Sequence, residues 1–532
     1  MSQDTDLDRP APTPGGGGPA GGGLDREVLM VAGVVVLGAI MSILDITVVS
    51  VALRTFQTEF DATAAQVAWT MTGYTLALAS VIPLTGWAAD RFGTKRLYLL
   101  AVGLFTAGSV LCAAADTLET LVAFRVLQGL GGGMLMPLGM TILTRAAGPE
   151  RIGRVMAVLG VPMLLGPIFG PILGGWMIDA FSWHWIFLIN LPIGAAALVY
   201  AWVVLPADSV QPSESFDFVG MLLLSPGLAA FLYGVSSIPE TGTFFAARVM
   251  VWTLLGVALI AAFVPWALRR ANVHPLIELR LLKNKNMTVA VIAMMLFAIA
   301  FFGASLLFPL YFQEVRGESA LRSGLLLAPQ GLGAMLTMPL AGMLADKIGP
   351  GKIVLTGIGV ITVGMGLFAM FVGDGASYLA LIVALFVMGL GMGATMMPIM
   401  TAALATLSAR NVARGSTFLN ITQQVAASMG TALFSVLLTN GFKDSRAISL
   451  GGAVQSLREQ PDLLARFLRE QGLTQADLAG LPARIVTDMA DTFSWVFWVA
   501  TALVALCLVP AFFLPRTKIE HAETEQPLLV GH

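Results

Sequence analysis

The chain has 532 residues, of which 57% are hydrophobic and only 12% are charged, and its formal net charge is −2. Soluble domains carry about 25% charged residues, so the composition excludes an ordinary soluble fold and indicates a membrane protein. No basic block of the kind that tracks phosphates is present, so no nucleic-acid partner is expected. The two cysteines, Cys112 and Cys507, lie in separate apolar runs, so we expect neither a disulfide framework nor a metal site.

Residues 1–26 are rich in Gly and Pro and lack an apolar stretch, and we predict that they form a disordered cytoplasmic tail. Fourteen apolar runs of about 20 residues or more follow, each long enough to cross a bilayer as a helix. The sequence therefore predicts an all-α membrane protein with fourteen transmembrane helices. Their predicted limits are 28–53, 66–88, 97–115, 118–144, 154–178, 183–205, 217–237, 246–268, 287–312, 322–345, 352–373, 377–405, 415–440 and 493–514.

Lys and Arg are concentrated in the even-numbered connections between these runs, which the positive-inside rule assigns to the cytoplasm. With an even number of spans, both termini are predicted to be cytoplasmic. The connection 441–492 is then external although it is rich in Lys and Arg, because it holds about as many Asp and Glu and its length weakens the rule. Its stretch PDLLARFLREQGL is amphipathic, and we predict a helix lying on the outer membrane surface.

Two stretches of the chain resemble each other at an offset of 256 residues, PLTGWAADRFGTKR at 83–96 and PLAGMLADKIGPGK at 339–352. A second pair follows, GLGGGMLMP at 129–137 and GLGMGATMMP at 389–398. Internal duplication is typical of secondary transporters, whose substrate site lies between the repeats near the middle of the membrane.

The duplication predicts two six-helix bundles, at 27–205 and 271–515, with the external loop 441–492 in the second bundle. The seventh and eighth spans have no counterpart in the repeat, so residues 206–270 are predicted to form two inserted linker helices. Residues 516–532 are predicted to form a second cytoplasmic tail.

The repeated charged turn predicts a cytoplasmic gate. Its glycines permit a sharp turn and close packing, and its acid can pair with a helix N-terminus or with a basic side chain. The alternative is that these charges only fix the topology, but a topology signal needs no repeated spacing of Gly and Asp. The gate residues are Gly86, Asp90, Arg91, Gly93, Lys95 and Arg96 in the first half and Gly342, Asp346, Lys347 and Gly349 in the second.

These motifs together resemble the major facilitator superfamily, in particular its 14-helix drug:proton antiporter branch. GWAADRFGTKR resembles the loop 2–3 motif of that family, RVLQGLGGGMLMP its span 4 motif and GVPMLLGPIFGPILGGW its span 5 antiporter motif. LDITVVSVAL and WHWIFLINLPIG resemble the span 1 motif and the span 6 entry. The resemblance covers nearly all of residues 28–515, with departures at Ser50, Arg54, Thr94 and His184.

The resemblance implies the major facilitator fold, in which the loop 2–3 motif packs the two halves together in the outward-open state. It implies that the arginine of the span 4 motif, Arg125, takes part in proton coupling. It also implies export, because the span 5 motif separates exporters from uptake relatives.

Asp45 and Arg125 are the acid and the base that the predicted spans place well inside helices. At 1.5 Å per residue both lie about 10–12 Å below the outer surface, and in the resembling fold their spans line the central cavity. Phe301 and Leu385 stand at the corresponding positions of the second half, so the scaffold does not need charge there.

Two interpretations of Asp45 and Arg125 overlap, a structural ion pair and a proton site. Burial favours the neutral acid and a guanidinium favours the carboxylate, so protonation of Asp45 would release Arg125 and shift the balance between inward- and outward-facing states. Ionisable groups inside a membrane are functional by default, and we predict proton coupling. Gln128, one turn from Arg125, is a candidate for orienting the guanidinium or contacting substrate in the cavity, or for an ordinary interhelical hydrogen bond.

The fifth span is interrupted by prolines and glycines, and we predict a kinked, smooth hinge helix where the two halves meet. A distortion without function is the alternative, which the regular spacing of the prolines disfavours. The hinge residues are Pro162, Gly166, Pro167, Gly170, Pro171, Gly174 and Gly175.

No nucleotide-binding motif is present, because GPGKIV at 349–354 lacks the earlier glycine and the Ser or Thr of a P-loop. We therefore expect no cofactor and a proton gradient as the energy source. A single deep acid favours a small hydrophobic or amphipathic substrate of at most one charge. The sequence predicts a monomeric, proton-coupled multidrug antiporter of the cell membrane.

Other functions remain open at this stage. An exporter of an endogenous lipid, a siderophore or a self-made antibiotic fits the same residues. An uptake symporter would share the fold without the span 5 motif, and sequence does not exclude a sensor without transport. The four His form no cluster and no nucleophile–base constellation is visible, so an enzyme is not expected.

Overall fold

The computed structural model describes most of the chain between residues 25 and 517. Within these residues all regular secondary structure is helical. The described ranges are 25–62, 64–147, 166, 169–170, 172–208, 216–241, 243–270, 272, 274–373, 375–404, 407, 409–456, 463, 466–468, 471 and 475–517.

The long helices follow one another as the apolar runs predict. In the first half they are α1 Arg26–Glu59, α2 Trp69–Phe92, α3 Thr94–Ala113, α4 Leu118–Ala147, α5 at 172–180 and α6 Asn190–Val204. The inserted pair is α7 Phe218–Ser236 and α8 Ala247–Leu268. In the second half they are α9 Lys285–Phe297, α10 Ala320–Ile348, α11 Pro350–Phe371, α12 Tyr378–Gly393, α13 Ala409–Asp444 and α14 Gln475–Leu506.

Three of these helices continue beyond those limits. The α9 span extends to Val315 through π-helical turns at Ala298–Phe302 and Tyr311–Val315. The α12 span resumes as Met396–Leu404, and α14 is followed by the short helix Leu508–Phe512. The π-helical turns let the α9 span change direction without leaving its backbone groups unpaired in lipid.

Twelve helices in the described part of the chain are long and apolar enough to cross a membrane, and each coincides with a predicted run. The predicted second span is the 24-residue helix α2, which is not among these twelve. The predicted fifth span, 154–178, lies largely outside the described residues. The count of fourteen and the cytoplasmic termini therefore stay predictions.

Each half is organised around a central helix. In the first half α4 packs against α1, α2 and α3, and in the second half α12 packs against α10 and α11. Between the halves, α13 packs against both α2 and α4. One buried hydrophobic cluster runs through the two halves, from Tyr98 and Leu138 to Phe297 and Phe368.

The inserted helices α7 and α8 pack on each other, and α7 also packs on α2 and α13. Asp217 ties the pair together, because its carboxylate accepts hydrogen bonds from Gly220 N at 2.8 Å and Trp266 Nε1 at 2.8 Å. Asn272 Nδ2 and Leu276 N donate to the same carboxylate at 3.2 and 3.0 Å. The inserted pair and the chain that follows it thus form one unit beside the contact of the two halves.

In the connection that is predicted to be external, the structure has a helix at Arg446–Ser456, and α14 begins at Gln475, earlier than the predicted span. The amphipathic stretch predicted at 461–473 lies mostly outside the described residues.

Candidate functional site

Asp45 and Arg125 form an ion pair between α1 and α4. Arg125 Nη1 lies 2.5 Å from Asp45 Oδ2, and both side chains are 0% exposed. Similar depth in the two predicted spans is the reason to expect proximity, and the structure brings the two groups into contact. Removing one partner of a buried pair leaves an uncompensated charge, so each group here depends on the other.

Gln128 binds both members of the pair. Its Oε1 accepts a hydrogen bond from Arg125 Nη1 at 2.7 Å, and its Nε2 donates to Asp45 Oδ1 at 2.7 Å. The side chain is fully buried. Of the alternatives for Gln128, this geometry gives it the contact that orients the guanidinium, and it also orients the carboxylate.

The guanidinium has further partners in α2. Arg125 Nε donates to the Thr70 carbonyl at 3.0 Å, and the Arg125 Cζ atom lies 4.2 Å from the centre of the Tyr74 ring. The Tyr74 hydroxyl in turn lies 3.2 Å from Ser42 Oγ of α1. A cation held over an aromatic face and away from water gains more from that contact than an exposed one.

Two residues that the sequence analysis did not single out complete the site, Ser109 of α3 and Asn190 at the start of α6. Asn190 Nδ2 lies 3.4 Å from Asp45 Oδ1 and 3.0 Å from Ser109 Oγ. Both side chains are buried. The available signal was the single amide in the apolar stretch WIFLINLPIG, but sequence does not say which helix such an amide faces.

The corresponding positions of the second half are apolar and buried. Phe301 and Leu385 are 3% and 0% exposed, and the Phe301 ring stacks on Phe297 with centroids 5.2 Å apart. At these positions the described structure thus has a charged pair in the first half and the apolar side chains of Phe301 and Leu385 in the second.

At the predicted gate, Asp90 pairs with a basic side chain. Asp90 Oδ1 lies 3.0 Å from Arg145 Nη2, which joins the ends of α2 and α4, and the side chains are 30% and 49% exposed. One turn before Asp90, Gly86 faces the other half, since a Cβ there would lie 3.8 Å from Thr417 Oγ1 of α13. Arg91 and Arg96 are exposed.

Gly93 and Lys95 shape the turn between α2 and α3. Gly93 has a φ of +94°, a conformation that favours glycine. Asp208 caps the N-terminus of α3 by accepting hydrogen bonds from Lys95 N at 2.8 Å and Arg96 N at 3.1 Å. Lys95 Nζ donates to the Trp202 and Leu205 carbonyls at 2.7 Å each, which satisfies the C-terminal end of α6.

The second-half gate repeats the backbone of the first. Gly349 has a φ of +92°, and Gly351 N donates to the Pro515 carbonyl at 2.8 Å, so the chain after α14 covers this turn as the chain after α6 covers the other. Gly342 is buried and Lys347 is exposed, whereas the side chain of Asp346 lies outside the described part.

The described glycines of the fifth span pack mainly on α1. A Cβ at Gly166 or Gly170 would overlap Ile43 or Thr47, and one at Gly174 would lie 3.1 Å from Val48 Cγ1. Gly175 faces the other half, since a Cβ there would lie 4.0 Å from Leu321 Cβ of α10. Pro162, Pro167 and Pro171 lie outside the described residues.

Comparison with known proteins agrees with this architecture. The family model of the Major Facilitator Superfamily matches residues 35–431. A Mycobacterium tuberculosis protein named "Multidrug resistance protein B homolog" is 50% identical over 507 residues, covering 95% of this chain and 93% of that protein. The Escherichia coli K12 protein "Multidrug export protein EmrB" is 29% identical over 480 residues, covering 90% of this chain and 93% of its own.

Solved structures share the fold at low identity. The proton:xylose symporter XylE has a TM-score of 0.56 and 14% identity, covering 91% of this chain and 94% of that one. The human organic anion transporter MFSD10 has a TM-score of 0.54 and 16% identity, covering 90% of this chain and 100% of that one.

The family model and the 50% identical relative show that the chain belongs to the major facilitator superfamily. It is a multi-pass transporter of the cell membrane and not an enzyme.

Proposed function

We propose that the chain is a proton-coupled exporter that exchanges protons for hydrophobic or amphipathic small molecules. The observation that carries the proposal is the fully buried ion pair of Asp45 and Arg125 in two membrane-spanning helices. An ionisable pair is expensive inside a membrane and persists where it has a function. The names of the relatives, which refer to multidrug resistance and export, support efflux as the direction of transport.

Coupling would follow from the loss of the charge on Asp45. A proton adds to Oδ2, the oxygen that faces Arg125, and the carboxylate becomes a neutral acid while Arg125 keeps its own proton. The guanidinium then lacks a counter-charge and is destabilised where it lies. Because α4 packs against α13 of the other half, a shift of Arg125 alters the contact between the halves. Proton binding thereby biases the two states of an alternating-access cycle.

The gate would respond to that bias at the end of the molecule where α2 meets α13. Asp90 and Arg145 hold α2 to α4 there, and Gly86 lets α2 approach Thr417. Glu278, in the chain that follows the inserted pair, lies 3.7 Å from Arg414 of α13. Opening this end of the molecule requires α2 to move away from α13, where Gly86 now approaches Thr417.

The substrate would be a drug-like molecule of at most one charge. Among the described residues, Asp45 is the buried acid inside a membrane-spanning helix and it is paired with Arg125, whereas the buried Asp217 caps the start of α7. A second candidate is an endogenous lipid, a siderophore or an antibiotic made by the cell, which would use the same cavity. An uptake symporter and a sensor without transport are weaker proposals, because the two sequence relatives named above carry export or resistance names, and the symporter XylE shares only the fold at 14% identity.

Everted membrane vesicles that contain the protein test the proposal. With a respiration-driven proton gradient, acid inside, the protein should drive ethidium and cell-derived lipid extracts into the lumen, and a protonophore should abolish this accumulation. Gradient-driven movement of the substrate out of the lumen, together with protons, would identify a symporter. Absence of any gradient-dependent flux with both substrate classes would reject transport of the proposed kind.

A further inference from the structure

The two carboxylate oxygens of Asp45 have different kinds of partner. Oδ2 accepts from the charged Arg125, whereas Oδ1 accepts from the neutral amides of Gln128 at 2.7 Å and Asn190 at 3.4 Å. One oxygen is therefore bound by charge and the other by neutral donors. The neutral contacts do not depend on Asp45 being ionised, because a carbonyl oxygen accepts hydrogen bonds as well.

The orientation of both amides is fixed by chemistry. Arginine can only donate, so the Gln128 oxygen must face Arg125 and its nitrogen must face Asp45. The Ser109 hydroxyl donates to the Phe187 carbonyl at 3.0 Å, so its lone pairs are free to accept. Gln128 Nε2 and Asn190 Nδ2 both donate to Ser109 Oγ, at 3.1 and 3.0 Å. Each amide thus divides its two hydrogens between Ser109 and Asp45.

Close helix packing brings these side chains together. A Cβ at Gly108 would lie 2.7 Å from Gln128 Cα, so α3 and α4 approach each other beside Ser109. A Cβ at Gly194 would overlap Thr106, so α6 reaches α3 one turn after Asn190. Glycines at helix contacts allow such approach, and polar side chains there form interhelical hydrogen bonds.

We propose that Asn190 and Ser109 are positioning residues, which hold Oδ1 of Asp45 in place while the proton binds at Oδ2. The O–H bond forms on Oδ2, the charge of Asp45 changes from −1 to 0, and Oδ1 keeps its amide donors as the carbonyl oxygen of the acid. The carboxyl group of Asp45 then keeps its position while Arg125 is released from its ion pair. This inference deepens the proposed proton coupling and depends on it.

The other ionisable side chains near Asp45 are not suited to carry the proton. The ionisable side chains around it are Arg125 of α4, Tyr74 of α2 and Cys112 of α3, whose thiol lies 3.7 Å from Gln128 Oε1. Arg, Tyr and Cys all titrate well above the range of a carboxyl group. At this level the described part of α5 presents glycines and α6 presents Asn190. Asp45 is therefore the group that we propose to carry the proton.

Infrared difference spectroscopy of the purified protein at a series of pH values measures this proton without any substrate. The C=O stretch that disappears in Asp45→Asn belongs to protonated Asp45, and its pH midpoint is the readout. An amide N–H binds the charged carboxylate more strongly than the carbonyl oxygen of the neutral acid, so its loss disfavours the carboxylate. Asn190→Leu should therefore move the midpoint to higher pH by about half a unit or more.

Ser109→Ala removes one atom and should move the midpoint in the same direction, and Ser109→Thr, which keeps the hydroxyl, should return it towards the wild-type value. The matched control is Thr106→Val, one turn away on α3, because the Thr106 hydroxyl bonds its own helix at Val102 O and should not affect the midpoint. Unchanged midpoints in both Asn190→Leu and Ser109→Ala would overturn the inference. Absence of any band specific to Asp45 would instead overturn the proposed proton site.

Discussion

Gly93 and Gly349 stand at corresponding positions of the two halves and end their helices in the same left-handed conformation, with φ angles of +94° and +92°. Each is covered by the chain that follows the last helix of its own half, Asp208 over Gly93 and Arg516 over Gly349. The repeat seen in sequence is therefore a repeat of backbone geometry at the gate.

Gly93→Ala should destabilise the protein through two effects. A positive φ with a ψ of 147° is a conformation that glycine alone adopts readily, and it costs on the order of 1–3 kcal/mol for a residue with a Cβ. That Cβ would also overlap the Asp208 carboxylate and disturb the cap of α3, which is worth another ~0.5–2 kcal/mol. Unfolding in detergent measures the sum. Gly317→Ala is the control for backbone strain alone, since Gly317 has a φ of +65° and open space around it. Equal losses in the two variants would contradict the proposed role of Asp208.

Single and double replacements of the buried pair should not be additive. Asp45→Leu or Arg125→Met alone leaves one buried charge unpaired and should cost about 3–5 kcal/mol of stability. The double variant has no buried charge and should recover most of that loss, while gradient-driven transport stays absent. Thermal unfolding of the four proteins gives the coupling energy. Additive losses would mean that the two charges do not interact across α1 and α4.

Asp90→Asn should affect transport much more than stability. The pair with Arg145 is exposed, so its contribution to folding is at most about 1 kcal/mol. We expect the efflux rate to fall several-fold while the melting temperature changes little. Exchanging the charges, with Asp90→Arg and Arg145→Asp together, should restore part of the rate. Normal efflux by Asp90→Asn would mean that these charges only fix the topology.

Gly166→Leu should impair transport without impairing membrane insertion. The leucine side chain would overlap Ile43, which lies two residues before Asp45 in α1. The overlap would force the fifth span away from α1. Expression level and efflux rate, measured in the same membranes, separate the two effects. Gly103→Leu is the matched control, because a Cβ at Gly103 of α3 has nothing within 4 Å. Equal efflux by both variants would show that close packing on α1 is not needed.

Much of the first-half site could be predicted from sequence, because charge is rare in apolar helices. Asp45 and Arg125 stand out against their surroundings, and depth along a helix follows from residue count alone. The contact with Gln128 follows in part, because three residues along a helix place two side chains on one face. Helical spacing does not predict the contacts between different helices, since it does not tell how neighbouring helices are rotated about their axes.

That limit explains the residues that were missed. Ser109 and Asn190 are neutral, and a Ser or an Asn in a span is common in interhelical contacts without function. Asp217 lies at the start of a helix, where a charge looks like any residue of a loop, yet it accepts four hydrogen bonds. Its importance depends on Trp266, Asn272 and Leu276, which are about 50 to 60 positions away in the chain.

The most direct test of the account compares wild-type protein with Asp45→Asn in everted vesicles. Asparagine has nearly the same shape but cannot take up the proton, so gradient-driven accumulation of ethidium should be lost while ethidium binding to the purified variant stays measurable. Accumulation by Asp45→Asn at the wild-type rate under the same gradient would contradict proton coupling through the Asp45–Arg125 pair.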